Sequence, residues 1–295
     1  MTQRMTLYSL EIEPARVTAL STQDGHPVSH INIGWGTPDG IWIDTTEGRV
    51  YWTNMGADAN AADGSIETAL LDGSDHKVLV ANGLVVTPKQ LTSTPGGEHL
   101  YWCDREGMRI MRCRRDGSNV EVLLQTGTYP ADVKDATRHC VGIALDTQNG
   151  HLYWSQKGPP KAGRGRIFRM PLALPAGTDP ANRNDIELLA DRLPEPIDLH
   201  VSPTLGKLWW TDRGAPPDGN SLNVARIDEH GLHDHQVILR ELNEAIGLAV
   251  DASGTLAFVS DLGGSIREVI LESGQARLIT KQASTTGLCL IIQDN

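Results

Sequence analysis

With 295 residues, 39% of them hydrophobic and 21% charged, the chain is long enough to bury a core as two ordinary domains or one large all-β domain. A formal net charge of −11 argues against nucleic acid or an anionic membrane surface as a partner. Two phenylalanines stand against 30 glycines and 16 prolines, a balance that favours many short strands joined by tight turns.

The N-terminal stretch MTQRMTLYSLEIEPARV has no apolar segment after a basic start, so a secretory signal is not expected. No run of about 18 apolar residues follows, so no membrane span is expected either. The four cysteines (Cys103, Cys113, Cys140, Cys289) show neither CxxC nor metal-ligand spacing. Free, buried thiols in a reducing cytoplasm are the expectation.

From residue 38 onward a unit recurs about every fifty residues, the period of radial repeats. The first copy (38–84) has a strand in GIWIDTTEG, the pair Tyr51-Trp52, then two strands in SIETALLDGSDHKVLV. The second (86–125) has QLTSTPGGE, Tyr101-Trp102 and RIMRCRRDGSNVEVLL. The third (138–190) has GIALDTQNG, Tyr153-Trp154 and a stretched outer pair containing LPAGTDPANRN. The fourth (194–240) has DLHVSPTLG, Trp209-Trp210 and LNVARIDEHGLHDHQVIL. A degenerate fifth (244–280) has GLAVDASGT, Phe258 and SIREVILESGQARLI. Asp-Gly-Ser at 72–74 and 116–118 marks hairpin turns. At the ends, TGLCLIIQDN matches an inner strand and TLYSLEIEPARVTALST matches two outer strands. Segments 284–295 and 1–22 therefore make a closing blade, for which no second strand is evident, so three strands are expected there. The predicted fold is all-β: one domain, 1–295, forming a six-bladed β-propeller with about four antiparallel strands per blade.

The motifs VYWTN, LYWCD, LYWSQ, LWWTD and FVSD, combined with LDGS and RDGSN, resemble the YWTD repeats of low-density-lipoprotein-receptor class B propellers. The resemblance spans nearly the whole chain and implies a six-bladed ring, here expected as a stand-alone intracellular form. In the receptors this module is extracellular, sits beside cysteine-rich EGF-like modules and binds proteins. Neither a signal nor such flanks is seen here, so the receptor role is not carried over, and fold likeness says little about activity.

Nine of the fourteen aromatics occupy the motif slot, which marks them as wedges between blades rather than a stacking platform. The polar residue ending each motif (Asn54, Asp104, Gln156, Asp212, Asp261) is expected to accept N–H bonds from an adjacent blade. Long loops collect on one face of the ring, which places a site over the channel mouth there. On the inner strands glycine is the norm at one position (Gly40, Gly142, Gly247, Gly287), and Gln90 and Asp198 break it. His200 follows Asp198 on the same strand face. The two are either a general acid/base pair or a channel-lining His with a structural hydrogen bond. Just ahead of the inner strands stand Asp39, Lys89, Arg138-His139, Glu195, Glu244 and Thr286. Lys89 either polarises a substrate oxygen or sits in an ion pair. Trp35 and Tyr129, outside the motif, either stack on a flat ligand or anchor their loops. His230, His233 and His235 fall in an outer turn, where solvation is a better reading than a metal.

No serine-hydrolase, zincin or nucleotide-binding signature occurs. The expected function is therefore a cofactor-independent enzyme of specialised metabolism acting on a small organic substrate. Asp198, His200 and Lys89 are assigned to catalysis; Trp35, Asp39, Gln90, Tyr129, Arg138, His139 and Glu195 to substrate binding; none to a metal. Cyclisation of the hetero-Diels–Alder kind, which some stand-alone fungal propellers are thought to promote, elimination and isomerisation lie within reach of these groups. Two alternatives stand beside it: a protein- or peptide-binding module favouring a basic partner on the same face, and a metal-dependent lactonase-like hydrolase using Asp39, Glu195 and Asp198.

Overall fold

The computed structural model describes residues 4–58 and 61–293; residues 1–3 and 294–295 of the closing blade and 59–60 of one long loop lie outside them. Six four-stranded antiparallel sheets make up the molecule. In chain order the strands are β1 (Arg4–Glu11), β2 (Arg16–Ser21) and β3 (Pro27–Asn32), then blade 1 with β4 (Pro38–Asp44), β5 (Arg49–Asn54), β6 (Ser65–Leu70) and β7 (Lys77–Val80). Blade 2 holds β8 (Pro88–Ser93), β9 (His99–Asp104), β10 (Arg109–Arg114) and β11 (Glu121–Gln125). Blade 3 holds β12 (Cys140–Asp146), β13 (His151–Gln156), β14 (Gly165–Pro171) and β15 (Glu187–Leu193). Blade 4 holds β16 (Pro196–Ser202), β17 (Lys207–Asp212), β18 (Ser221–Asp228) and β19 (Gly231–Leu239). Blade 5 holds β20 (Ala245–Val250), β21 (Leu256–Asp261), β22 (Ser265–Ile270) and β23 (Ala276–Lys281). β24 (Thr285–Gln293) closes the ring. No helix among the described residues is long and apolar enough to cross a membrane.

The closing blade corrects the sequence reading. Its order is β24-β1-β2-β3, four strands rather than three. The segment TLYSLE is the second strand, not an outer one: Tyr8 pairs with Cys289 in the register by which Phe258 pairs with Ala249. It is a sixth, eroded motif, with Ser9 where tryptophan stands and Glu11 where the acid stands.

The aromatic pair builds the ring as expected. Tyr51 joins the cluster of blade 2, with Leu91 and Trp102, while Trp52 joins that of the closing blade, with Leu10 and Val17. Tyr101 and Trp102 divide in the same way between blades 3 and 1, and Tyr153 and Trp154 between blades 4 and 2. At about 25 cal/mol per Å², a ring burying about 150–250 Å² contributes roughly 4–6 kcal/mol before the entropy cost of ordering it. Trp52, Trp102 and Trp154 leave their buried Nε1 atoms without a partner, so they act as apolar filling.

The residue after the aromatic pair does what the sequence reading missed. Thr211 Oγ1 accepts the Asp198 N–H of its own blade at 3.1 Å and donates to the Ile246 carbonyl of the next at 2.6 Å. Thr53, Ser155 and Ser260 repeat this double bond. The bond demands close approach, and glycine permits it: a Cβ on Gly142 would lie 1.9 Å from the Ile197 carbonyl oxygen. The motif's terminal acid, by contrast, serves its own blade. Asp104 accepts N–H bonds from Val86 and Thr87, and Asp212 from Glu195, all on segments entering the inner strand of the same sheet.

Candidate functional site

The six residues immediately before the glycine position are Asp39, Lys89, Val141, Ile197, Ile246 and Thr286, and all are buried. Val141, Ile197 and Ile246, from three successive blades, pack on one another with Leu262. Lys89 Nζ donates to the Asp39 carboxylate and touches Met55 Sδ at 3.4 Å; Thr286 Oγ1 donates to the Pro38 carbonyl at 2.9 Å. These side chains form a plug at the long-loop end of the channel. Burial pulls the Lys89 ammonium below its usual range, with Asp39 opposing. Lys89 and Asp39 thus neutralise each other inside the plug.

Beyond the plug, toward the short-turn end of the inner strands, lies a channel cavity of about 210 Å³. Its wall carries an isoleucine or leucine from every blade: Ile41, Leu91, Ile143, Leu199, Leu248 and Leu288. The polar groups among them are chiefly Gln90, Asp198 and His200. Asp198 Oδ1 accepts the Leu199 N–H at 2.8 Å, and Oδ2 accepts the Leu248 N–H of the next blade at 2.9 Å. Burial still pushes its carboxyl up to about 8; Asp39 adds to the rise and Lys89 opposes it. His200 packs edge-on against Trp209, 5.9 Å between centroids, and burial pulls it down to about 4. Near neutral pH the cavity therefore holds a protonated carboxylic acid and a neutral imidazole. No hydrogen bond joins the two. Gln90 Nε2 and Asp39 Oδ1 are buried without a partner.

The other expected site residues do not gather here. Glu195 is bound by Lys157 Nζ at 3.1 Å, Arg213 Nε at 2.9 Å and the Lys161 N–H at 3.1 Å. His139 bonds the Val133 carbonyl at 2.9 Å, and burial lowers its pKa. Arg138 pairs with Asp135 in a separate cleft between blades 2 and 3. Trp35 is 44% exposed on the long-loop face, and Tyr129 is half-buried. Asp39, Glu195 and Asp198, the carboxylates a lactonase-like centre needs together, each have different partners. His233 and His235 bond Asp228 and Asn223 in the outer hairpin. The three cations Arg105, Lys157 and Arg213 escaped notice because the reading stopped at the motif. Each follows the motif's polar residue directly, and a comparison of that position across the copies would have found them.

No protein-family model matches this chain. A Pyricularia oryzae protein named "Low-density lipoprotein receptor-related protein 1" is 48% identical over 266 residues, 86% of this chain and 85% of that protein. A Cochliobolus heterostrophus protein named "3-hydroxyacyl-CoA dehydrogenase-like protein LAM1" is 41% identical over 86% of this chain, which spans only 56% of that relative's length. Among solved structures, a chain of the nidogen/laminin complex superposes with a TM-score of 0.75 at 18% identity, covering 97% of this chain and 98% of that one; this likeness concerns the fold alone. Six motif-bearing blades in a closed ring, with a relative this similar over most of both chains, place the protein in the YWTD-repeat family of six-bladed β-propellers, the kind named after the low-density lipoprotein receptor.

Proposed function

We propose that the channel cavity binds a small, largely apolar organic molecule with an acceptor oxygen and converts it by acid-assisted chemistry without a redox cofactor. The supporting observation is the wall of six aliphatic side chains around Asp198, held up to about 8, and His200, held down to about 4. In this reading Asp198 donates its O–H to a substrate carbonyl as negative charge develops there. His200, neutral, takes a proton where the reaction releases one. Gln90 offers its unpartnered Nε2–H as a second donor. Lys89 acts at a distance, its pairing with Asp39 setting the field around Asp198. Cyclisation, including hetero-Diels–Alder ring closure, elimination and isomerisation in specialised metabolism all fit such a set. The cavity lies on the short-turn side of the plug, away from the long loops where a site was expected. The test is mass-spectrometric capture of small molecules that co-purify, with product profiles of Asp198→Asn and His200→Ala. Unchanged profiles in both variants would sink the acid–base roles.

A second reading, a protein- or peptide-binding face, is favoured by one observation. Trp35 stands 44% exposed on the long-loop side, at a cleft shared with Asp63, Val78 and Asn82. Trp35→Ala should then abolish capture of the partner while leaving the channel variants' phenotypes intact.

A further inference from the structure

Between blades 2 and 3 lies a second cavity, about 420 Å³, separate from the channel. The long turn from β14 to β15, the exception among short turns, creates it by leaning across the blade boundary. Arg183 of this turn is fully enclosed. It pairs with Asp185 and donates to the Leu123 carbonyl of blade 2 and the Pro171 carbonyl of blade 3, each at 3.1 Å. The Gln125 N–H donates to the Pro180 carbonyl at 3.0 Å, which fixes the turn against blade 2.

The inner wall of this cleft is a pile of three flat groups. Trp154 and Phe168 stack with centroids 5.1 Å apart and planes 12° apart, and the Arg166 guanidinium lies 5.1 Å above the Phe168 centroid. Arg166 Nη2 donates to the Thr137 carbonyl at 2.6 Å and to Gln156 Oε1 at 2.7 Å, both neutral acceptors. Of the three arginines lining the cleft, Arg138 pairs with Asp135 and Arg183 with Asp185. Arg166 has no carboxylate partner among the described residues. Burial, with Arg164 close by, lowers its pKa, while Asp135 and Asp191, which lie near without touching it, oppose the fall. In a chain of net charge −11, a half-buried guanidinium held in a fixed plane with no carboxylate in direct contact carries an electrostatic cost that a bound anion would reduce.

We propose that this cleft is a binding site for a small organic carboxylate, whose carboxylate pairs with the open edge of Arg166 and whose apolar body lies against Ile186 and Leu124. The planar guanidinium favours the two-oxygen fork of a carboxylate, and the apolar lining favours a body of one ring. This site is independent of the channel reading and stands or falls apart from it.

Calorimetric titration of the full chain with benzoate, and separately with inorganic phosphate, tests it. The expected result is saturable benzoate binding, weakened at least about tenfold by Arg166→Gln. Ala181→Trp, which fills the exposed side of the cleft without changing charge, should weaken it equally, and Asp198→Asn should leave it unchanged. The proposal is overturned if the wild type shows no saturable benzoate binding, if folded Arg166→Gln or Ala181→Trp binds as well as wild type, or if phosphate binds as tightly as benzoate.

Discussion

Asp198 occupies a position that four other inner strands give to glycine, and it replaces close backbone contact with a carboxylate bonded to the next blade. The consequence is a proton held in the folded state. Its folded pKa of about 8 lies above the unfolded value of about 3.9, so its contribution to stability is fully present below about pH 4 and is lost as pH rises toward 8. Asp212, raised to about 7 by burial, acts with the same sign. His200 acts at the other end: with its folded pKa at about 4, its contribution is whole above about 6.5 and is lost as pH falls toward 4. Asp198→Asn should therefore flatten the fall in stability between about pH 5 and 8, leaving the share due to Asp212. Urea unfolding across that range measures it, and an unchanged slope would remove Asp198 as a buried acid. That Asp198 and Gln90 are exceptional was legible in the sequence, because a repeat exposes its own departures. Their partners were not, since Leu248 lies fifty residues away and meets Asp198 only across a blade boundary.

At the scale of the strand, each blade is tied to the next by a hydroxyl and a glycine acting together. Thr211→Val keeps the side-chain shape but leaves the Asp198 N–H and the Ile246 carbonyl without their bond. It is expected to cost about 1–3 kcal/mol in chemical denaturation. Gly142→Ala presses a methyl against the Ile197 carbonyl, a backbone atom that yields only if blades 3 and 4 separate. Its cost should reach the top of the about 1–3 kcal/mol range for overpacking, measured by the shift in urea midpoint. The elements themselves were readable from alternation and turn chemistry. The exceptions lie in the closing blade: β1, whose place Ser9 and Glu11 obscured until its pairing with β24 is seen, and β3, which lies beyond the segment 1–22 and carries no motif.

For the molecule as a whole, stability depends on closing the ring. β24 pairs along nearly its whole length with β1, so it supplies the inner strand of the closing blade and covers the β1 edge. Removing residues 285–293 should expose the β1 edge and the apolar surface of Leu7, Ala249 and Phe258 against which Leu288 packs. The expected outcome is an oligomer or aggregate with a broadened thermal transition, read by size-exclusion chromatography and calorimetry. A monomer melting as sharply as the full chain would show that the other blades hold together without closure.

Strand order within five blades, the wedge role of Tyr51-Trp52 and its counterparts, and the six-fold ring all follow from the amino-acid sequence, because each depends on local alternation repeated at a constant period. The partnership of Lys89 with Asp39, the grip of Lys157 and Arg213 on Glu195, the side of the plug on which the cavity lies, and the cleft that leaves Arg166 without a carboxylate in contact follow from tertiary structure alone. Strand periodicity dictates which face a side chain takes. Which charge it meets depends on how twisted sheets pack across their boundaries, where partners lie dozens of residues apart.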